Sequence, residues 1–183
     1  MEIAAQVIGL IGAAALILSF LPKSKKNIIL LQLMGSFLFA VQYLLLGILS
    51  DCLYVGFLLN FIGIFRCLVY SNRDKLRADS HLWFICFVAT YILFYVLNFT
   101  VFGLDATATN LIVELLPVLG TTALTYGYKT NSSKFIRYSG LINSPLWLIY
   151  NIVRNSIGGI ICEVLCIISA LVGIYRHERK KKT

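Results

Sequence analysis

The sequence has 183 residues, of which 59% are hydrophobic and only 13% are charged. This composition, with a mean hydropathy of +0.85, excludes a soluble globular domain, in which about a quarter of the residues are charged. The formal net charge of +8 would suggest nucleic acid as the partner of a soluble protein, but in a membrane protein such charges face anionic lipid headgroups. We therefore predict an all-α membrane protein that contacts the lipid bilayer and binds no nucleic acid.

Seven apolar runs follow one another, most of them near the ~20 residues needed to cross ~30 Å of hydrocarbon. They cover residues 4–22, 28–47, 52–70, 82–103, 108–128, 135–153 and 157–175. Fifteen of the 16 Lys and Arg residues lie in alternate gaps, at the end of the third run or in the C-terminal tail. Because short basic loops stay in the cytoplasm, this pattern predicts seven crossings, with the N-terminus outside and the C-terminus inside.

The two ends of the chain share short motifs that indicate an internal repeat. Gly-x-x-Ala-Leu at 12–16 recurs at 120–124, Ser-x-Leu at 36–38 recurs at 144–146, and Gly-Ile-aromatic-Arg at 63–66 recurs at 173–176. Each copy spans three helices, and one intervening crossing lets both copies enter the membrane from the same side. We predict a 3+1+3 arrangement of parallel repeats, which in transporters place the solute near midplane between the repeats. The parts are 1–73 (first repeat), 82–103 (linker helix), 108–176 (second repeat) and 177–183 (basic cytoplasmic tail).

Three features of the first repeat are similar to a known three-helix unit. Ser19-Phe20-Leu21-Pro22 is similar to the signature that ends its first helix, Tyr43 with 47–49 to the segment that closes its second helix, and Asn60 falls near its sugar-lining asparagine. The unit is that of the SWEET and SemiSWEET sugar facilitators (MtN3/PQ-loop), although Lys23 and Tyr43 replace their glutamine and tryptophan. The resemblance implies a SWEET-like fold and places Asn60 at the solute site.

The second half of the chain is similar to a narrower family. Its motifs are ELLPVLGT at 114–121, WLIYN at 147–151, SIGG at 156–159, and Glu163. They resemble those of the YgjV-type bacterial inner-membrane proteins, and length and helix count fit along nearly the whole chain. The resemblance implies a multi-pass location in the bacterial inner membrane and no particular substrate.

Polar residues inside the apolar runs mark a candidate cavity, because polar side chains need partners in hydrocarbon. The last three runs carry them three or four residues apart, hence on one helix face. Helix packing is the alternative explanation for the small residues. Together with the resemblance, these stripes predict a solute site formed by Tyr43, Asn60, Trp147 and Asn151.

Two acidic residues, Glu114 and Glu163, lie at the same depth, about 9 Å from the outer ends of their helices. Two explanations stay open: the carboxylates couple transport to protons or cations, or they tie the bundle together by pairing with Arg154. Prolines inside a helix leave the carbonyl four residues back unpaired, which predicts hinges at Pro22, Pro117 and Pro145.

Motifs of catalysis are missing from the sequence. It has no Gly-rich phosphate loop, no His-Glu-x-x-His and no nucleophile with a plausible histidine base, so we expect no enzyme activity, no cofactor and no metal. The predicted function is a transporter or facilitator of an unidentified small polar solute by alternating access, and a homo-oligomer is compatible with this. The alternatives are a non-transporting receptor or assembly protein of the same architecture, and a vitamin carrier, for which two tryptophans provide little aromatic clamping.

Overall fold

The described part of the chain is entirely helical apart from its loops. The computed structural model describes residues 2–49, 54–130, 132–154 and 157–178. The helices are α1 (Glu2–Ser19), α2 (Lys25–Leu49), α3 (Tyr54–Ser71), α4 (Arg73–Leu76), α5 (His81–Thr100), α6 (Ala108–Lys129), α7 (Ser133–Val153) and α8 (Ile157–Glu178). The prediction of an all-α fold is confirmed, and the seven long helices correspond to the seven apolar runs.

Six of the long helices form a closed ring of contacts. α2 packs between α1 and α3, and α7 packs between α6 and α8. α1 also contacts α8, α3 contacts α6, and α2 contacts α7. We call α1–α3 the first group and α6–α8 the second group. The remaining long helix, α5, lies outside the ring against α3 and α6 and exposes large apolar side chains along its length, as a lipid-facing helix requires.

Within the described residues, four helices contain segments that are long and apolar enough to cross a membrane. These are Lys25–Leu45 in α2, His81–Thr100 in α5, Ala108–Lys129 in α6 and Gly158–His177 in α8. α1 and α3 contribute the shorter apolar stretches Ile3–Ser19 and Phe57–Ser71, whereas α7 buries Arg137, Ser144 and Asn151 and is more polar. The helices support a membrane protein; the seven crossings in a 3+1+3 order stay a prediction.

The three prolines differ in position. Pro117 and Pro145 lie inside α6 and α7, where the sequence places them. Pro22 instead lies in the loop after α1, which ends at Ser19. The predicted hinge at Pro22 is therefore wrong, because no helix runs through this residue. The Leu18 carbonyl accepts a hydrogen bond from the Leu21 amide at 3.2 Å, and the proline follows a helix end, where proline is common.

Candidate functional site

A polar cavity of about 100 Å³ lies between the two groups of helices. A cavity needs at least roughly 10–15 Å³ to hold one water, and pockets for drug-sized ligands measure about 300–1,000 Å³, so a cavity of this size has room for water or a small solute. Its polar lining comes from both groups: Gln32, Ser36, Tyr43, Asn60 and Arg66 from the first, and Thr121, Asn143, Trp147, Asn151 and Glu163 from the second.

The four residues predicted to bind the solute all line this one cavity, although they come from α2, α3 and α7. Asn151 is buried, and its amide lies against Gly159 of α8, where a Cβ atom would collide with it. The indole nitrogen of Trp147 lies 3.4 Å from the Thr121 hydroxyl of α6. The structure thus brings the predicted residues together; their binding of a solute stays a prediction.

Glu114 is part of an ion pair outside the cavity lining. Its Oε1 atom lies 2.6 Å from Nη2 and 3.1 Å from Nε of Arg154. The same Nη2 donates to the Asn110 side chain at 3.1 Å, and the Asn98 side chain hydrogen-bonds Glu114. This geometry favours the structural explanation for Glu114, because the carboxylate joins α6 to the C-terminal end of α7.

Glu163, the second acid, has different surroundings. It lines the cavity and receives a hydrogen bond from the Ser144 hydroxyl. Within the described residues, Arg154 pairs with Glu114 and no lysine or arginine pairs with Glu163. No three His, Cys, Asp or Glu side chains in that part of the chain come close enough together to hold a metal ion. Glu163 is therefore the carboxylate available for contact with a solute or a proton.

Replacing Glu114 with Gln should lower the free energy of unfolding by about 1 to 3 kcal/mol, because Arg154 would lose its counter-ion while 30% exposed. The double change Glu114→Gln with Arg154→Gln should recover much of that loss, since it removes both charges. Thermal unfolding of the purified protein measures both effects. Equal destabilisation by the single and double changes would contradict the structural pairing.

A polar cluster that the sequence did not reveal joins the two groups beside the cavity. The Tyr128 hydroxyl donates to Gln32 Oε1 at 2.7 Å, and Gln32 Nε2 donates to the Ser19 hydroxyl at 2.9 Å. All three side chains are buried. In the sequence, only Gln32 indicated such a cluster, because it is a polar residue in an apolar run. Tyr128 gave no indication, since a tyrosine near a helix end is typical of the membrane interface.

Basic side chains of the second group contact the C-terminal end of α1. Arg137 Nε donates to the Phe20 carbonyl at 3.0 Å, and its Nη2 donates to the Pro22 carbonyl at 2.5 Å. His177 Nε2 lies 2.9 Å from the Leu21 carbonyl. These carbonyls belong to the loop that follows α1, which ends at Ser19, and donors from α7 and α8 provide the hydrogen bonds that buried backbone carbonyls need.

Residues of the first group and of the short helix α4 make the reciprocal contacts with the C-terminal end of α6. Lys25 Nζ donates to the Thr130 carbonyl at 2.8 Å, and Arg73 Nη1 donates to the Lys129 carbonyl at 2.9 Å. Lys129 Nζ in turn lies 2.7 Å from His81 Nδ1. The basic linkers therefore meet at one end of the bundle.

Comparison with known proteins gives one match. The family model Imp-YgjV, described as bacterial inner membrane protein, matches residues 3–181. No curated protein and no solved structure matches the chain. The predicted resemblance to YgjV-type proteins is confirmed, whereas nothing in these comparisons supports the resemblance to SWEET facilitators.

Proposed function

We propose that the chain, which belongs to the Imp-YgjV family of bacterial inner membrane proteins, carries a small polar solute across that membrane by alternating access. The single observation that carries the proposal is the polar cavity shared by the two groups of helices. Polar side chains are costly inside hydrocarbon and mark solute or ion pathways when they face a cavity. A site between two repeats is where parallel-repeat transporters bind their substrates.

Two glycine contacts support the interpretation of the groups as repeats. A Cβ atom at Gly12 would lie 3.5 Å from the Gly35 carbonyl oxygen of α2, and one at Gly120 would lie 3.1 Å from the Asn143 carbonyl oxygen of α7. In both pairs the partner follows the glycine by the same interval (35 − 12 = 143 − 120 = 23). The first helix of each group thus approaches the second in the same register, in agreement with a 3+1+3 arrangement.

The reciprocal hydrogen bonds at the end of the bundle where the basic linkers meet would break and re-form during the proposed transport cycle. Arg137 and Lys25 each belong to one group and donate to carbonyls at the end of the first helix of the other group. Hydrogen bonds of this kind can exchange for water when the groups separate. By the charge rule this end is cytoplasmic, so release of these contacts would open the cavity to the cytoplasm.

Replacing Asn60 or Asn151 with Ala should weaken solute binding at least about tenfold, since each change removes polar partners from the cavity. The measurement is the thermal stabilisation of the purified protein by sugars, nucleosides, amino acids and organic acids, followed by uptake into proteoliposomes. Asn72→Ala, an exposed position with a hydrogen bond to the Leu68 carbonyl, is the matched control.

Wild-type binding and uptake in both cavity variants would contradict the proposal. A solute that stabilises the wild type but is never taken up would favour the receptor alternative. If one of the two variants is unfolded without ligand, its asparagine has a role in packing. The other variant then tests solute binding.

A further inference from the structure

Arg66 is a buried cation on the wall of the cavity, with neutral partners only. Its side chain is 5% exposed and lines the cavity. Nη1 lies 3.4 Å from the Thr125 hydroxyl, the guanidinium carbon lies 5.0 Å from the centre of the Tyr128 ring, and the Tyr91 side chain hydrogen-bonds it. Nε is buried without any hydrogen-bond partner. A guanidinium has five N–H donors, so these neutral groups leave it under-satisfied.

No carboxylate compensates this charge within the part of the chain that the structure describes. The ion pair there joins Arg154 to Glu114 instead. Arg66 lies five residues before the end of α3 at Ser71, or about 8 Å along the helix. Because the side chain is buried against α6, it does not extend to the aqueous interface as surface arginines in membranes do.

Arg137 shows how this protein satisfies a buried arginine with its own backbone carbonyls. That side chain is fully buried, and its donors meet the carbonyls of Phe20 and Pro22 at the end of α1. Arg66 has no comparable set of carbonyls, and its surroundings include an open, polar cavity. The two arginines are equally buried but only Arg66 faces space that a ligand can occupy.

We propose that Arg66 binds the carboxylate group of the transported solute, so that the substrate is a small organic acid or amino acid rather than a neutral sugar. The inference rests on the proposed transport function. A guanidinium fork matches a carboxylate through two parallel hydrogen bonds, which would satisfy the unpartnered Nε. Gln32 and Ser36 line the same cavity and provide hydrogen bonds for the rest of a polar solute.

Glu163 affects which class of carboxylate-containing solute the cavity can bind. It lines the same cavity and forms no ion pair with a basic side chain of the described residues. An amino acid carries an ammonium group that a carboxylate elsewhere in the same cavity attracts, whereas a simple organic acid has no such group. An organic acid and an amino acid can therefore be distinguished with two probes, of which only one carries an ammonium group.

The test uses the purified full-length protein and four probes at fixed pH and ionic strength: lactate, its neutral amide lactamide, alanine and ribose. Lactate, alanine or both should raise the midpoint of thermal unfolding, whereas lactamide and ribose should not. Lactate alone indicates an organic acid, and alanine alone indicates an amino acid. The change Arg66→Gln should weaken the apparent affinity for the active probe about 10- to 100-fold.

Arg66→Lys should retain part of the affinity, because it keeps the charge without the guanidinium fork, and Lys134→Gln, at an exposed basic position of α7, should leave the affinity unchanged. Stabilisation by lactamide equal to that by lactate, or unchanged affinity in Arg66→Gln, would overturn the inference and leave the proposed transport intact. Failure of both carboxylate probes would also overturn it, while the wider solute panel decides separately on transport. If Arg66→Gln does not fold, the comparison of lactate with lactamide and the Arg66→Lys variant still decide.

Discussion

Replacement of Arg137 with Met should lower the midpoint of thermal unfolding by on the order of 10 °C. The change leaves the carbonyls of Phe20 and Pro22 without the guanidinium that now donates to them, in a position that is fully buried. Unpaired buried carbonyls and a lost charge-assisted hydrogen bond each destabilise a protein by about 1 to 3 kcal/mol. We expect this to be the largest stability effect of any single substitution considered, because it also separates α7 from α1.

Lys134→Met is the matched control, since Lys134 is an exposed basic residue near the start of the same helix. Its unfolding midpoint should stay close to that of the wild type. Thermal unfolding of both variants in the same detergent makes the comparison. A wild-type midpoint for the Arg137 variant would show that the contacts with the end of α1 do not hold the two groups together.

The change Glu163→Gln should abolish the dependence of uptake on pH, if the carboxylate carries the coupling proton of the transport cycle. Glu163 lines the cavity, and glutamine keeps its shape and can still accept the hydrogen bond from Ser144 while it cannot titrate. Accumulation driven by an inward proton gradient should therefore be lost, whereas exchange without a gradient should continue. Proteoliposome uptake of the panel solute with the largest thermal shift measures both.

The double variant Glu114→Gln with Arg154→Gln is the control for this experiment, because it removes a carboxylate of the same membrane level that is already paired. It should retain the pH dependence of the wild type. Unchanged gradient-driven accumulation in Glu163→Gln would end the coupling hypothesis and assign Glu163 to binding or packing alone.

The sequence was sufficient to predict the helices and four of the residues that line the cavity. Apolar runs of nearly constant length follow from the thickness of the hydrocarbon, so their number and approximate bounds are visible without a structure. Trp147 and Asn151 were identifiable because a polar side chain in an apolar run needs a partner or a cavity, and the spacing of three and four residues puts both on the helix face that lines the cavity. Asn60 was placed there by the resemblance to a known three-helix unit.

The roles of the basic residues were not predictable in this way. The charge rule counts Arg66 and Arg137 together as markers of cytoplasmic ends, although both are buried. The two arginines differ in whether backbone carbonyl groups lie within hydrogen-bonding distance. That depends on contacts between residues more than 100 positions apart, such as Arg137 and Phe20. The partner of Arg154 could not be chosen from depth alone for the same reason, because Glu114 and Glu163 lie at one level and the packing of α6 against α7 decides between them.

Alternating access requires that the cavity between the two groups opens to both sides of the membrane. A cysteine at Ser36, a buried position in the cavity lining, tests it in a variant whose five native cysteines are replaced, with a cysteine at exposed Ser71 as the one-sided control. A membrane-impermeant thiol reagent is applied to spheroplasts and, separately, to inverted membrane vesicles. We expect labelling of the Ser36→Cys variant from either side and of the Ser71→Cys variant from the cytoplasmic side only. Labelling of Ser36→Cys from one side alone, or from neither, would contradict alternating access.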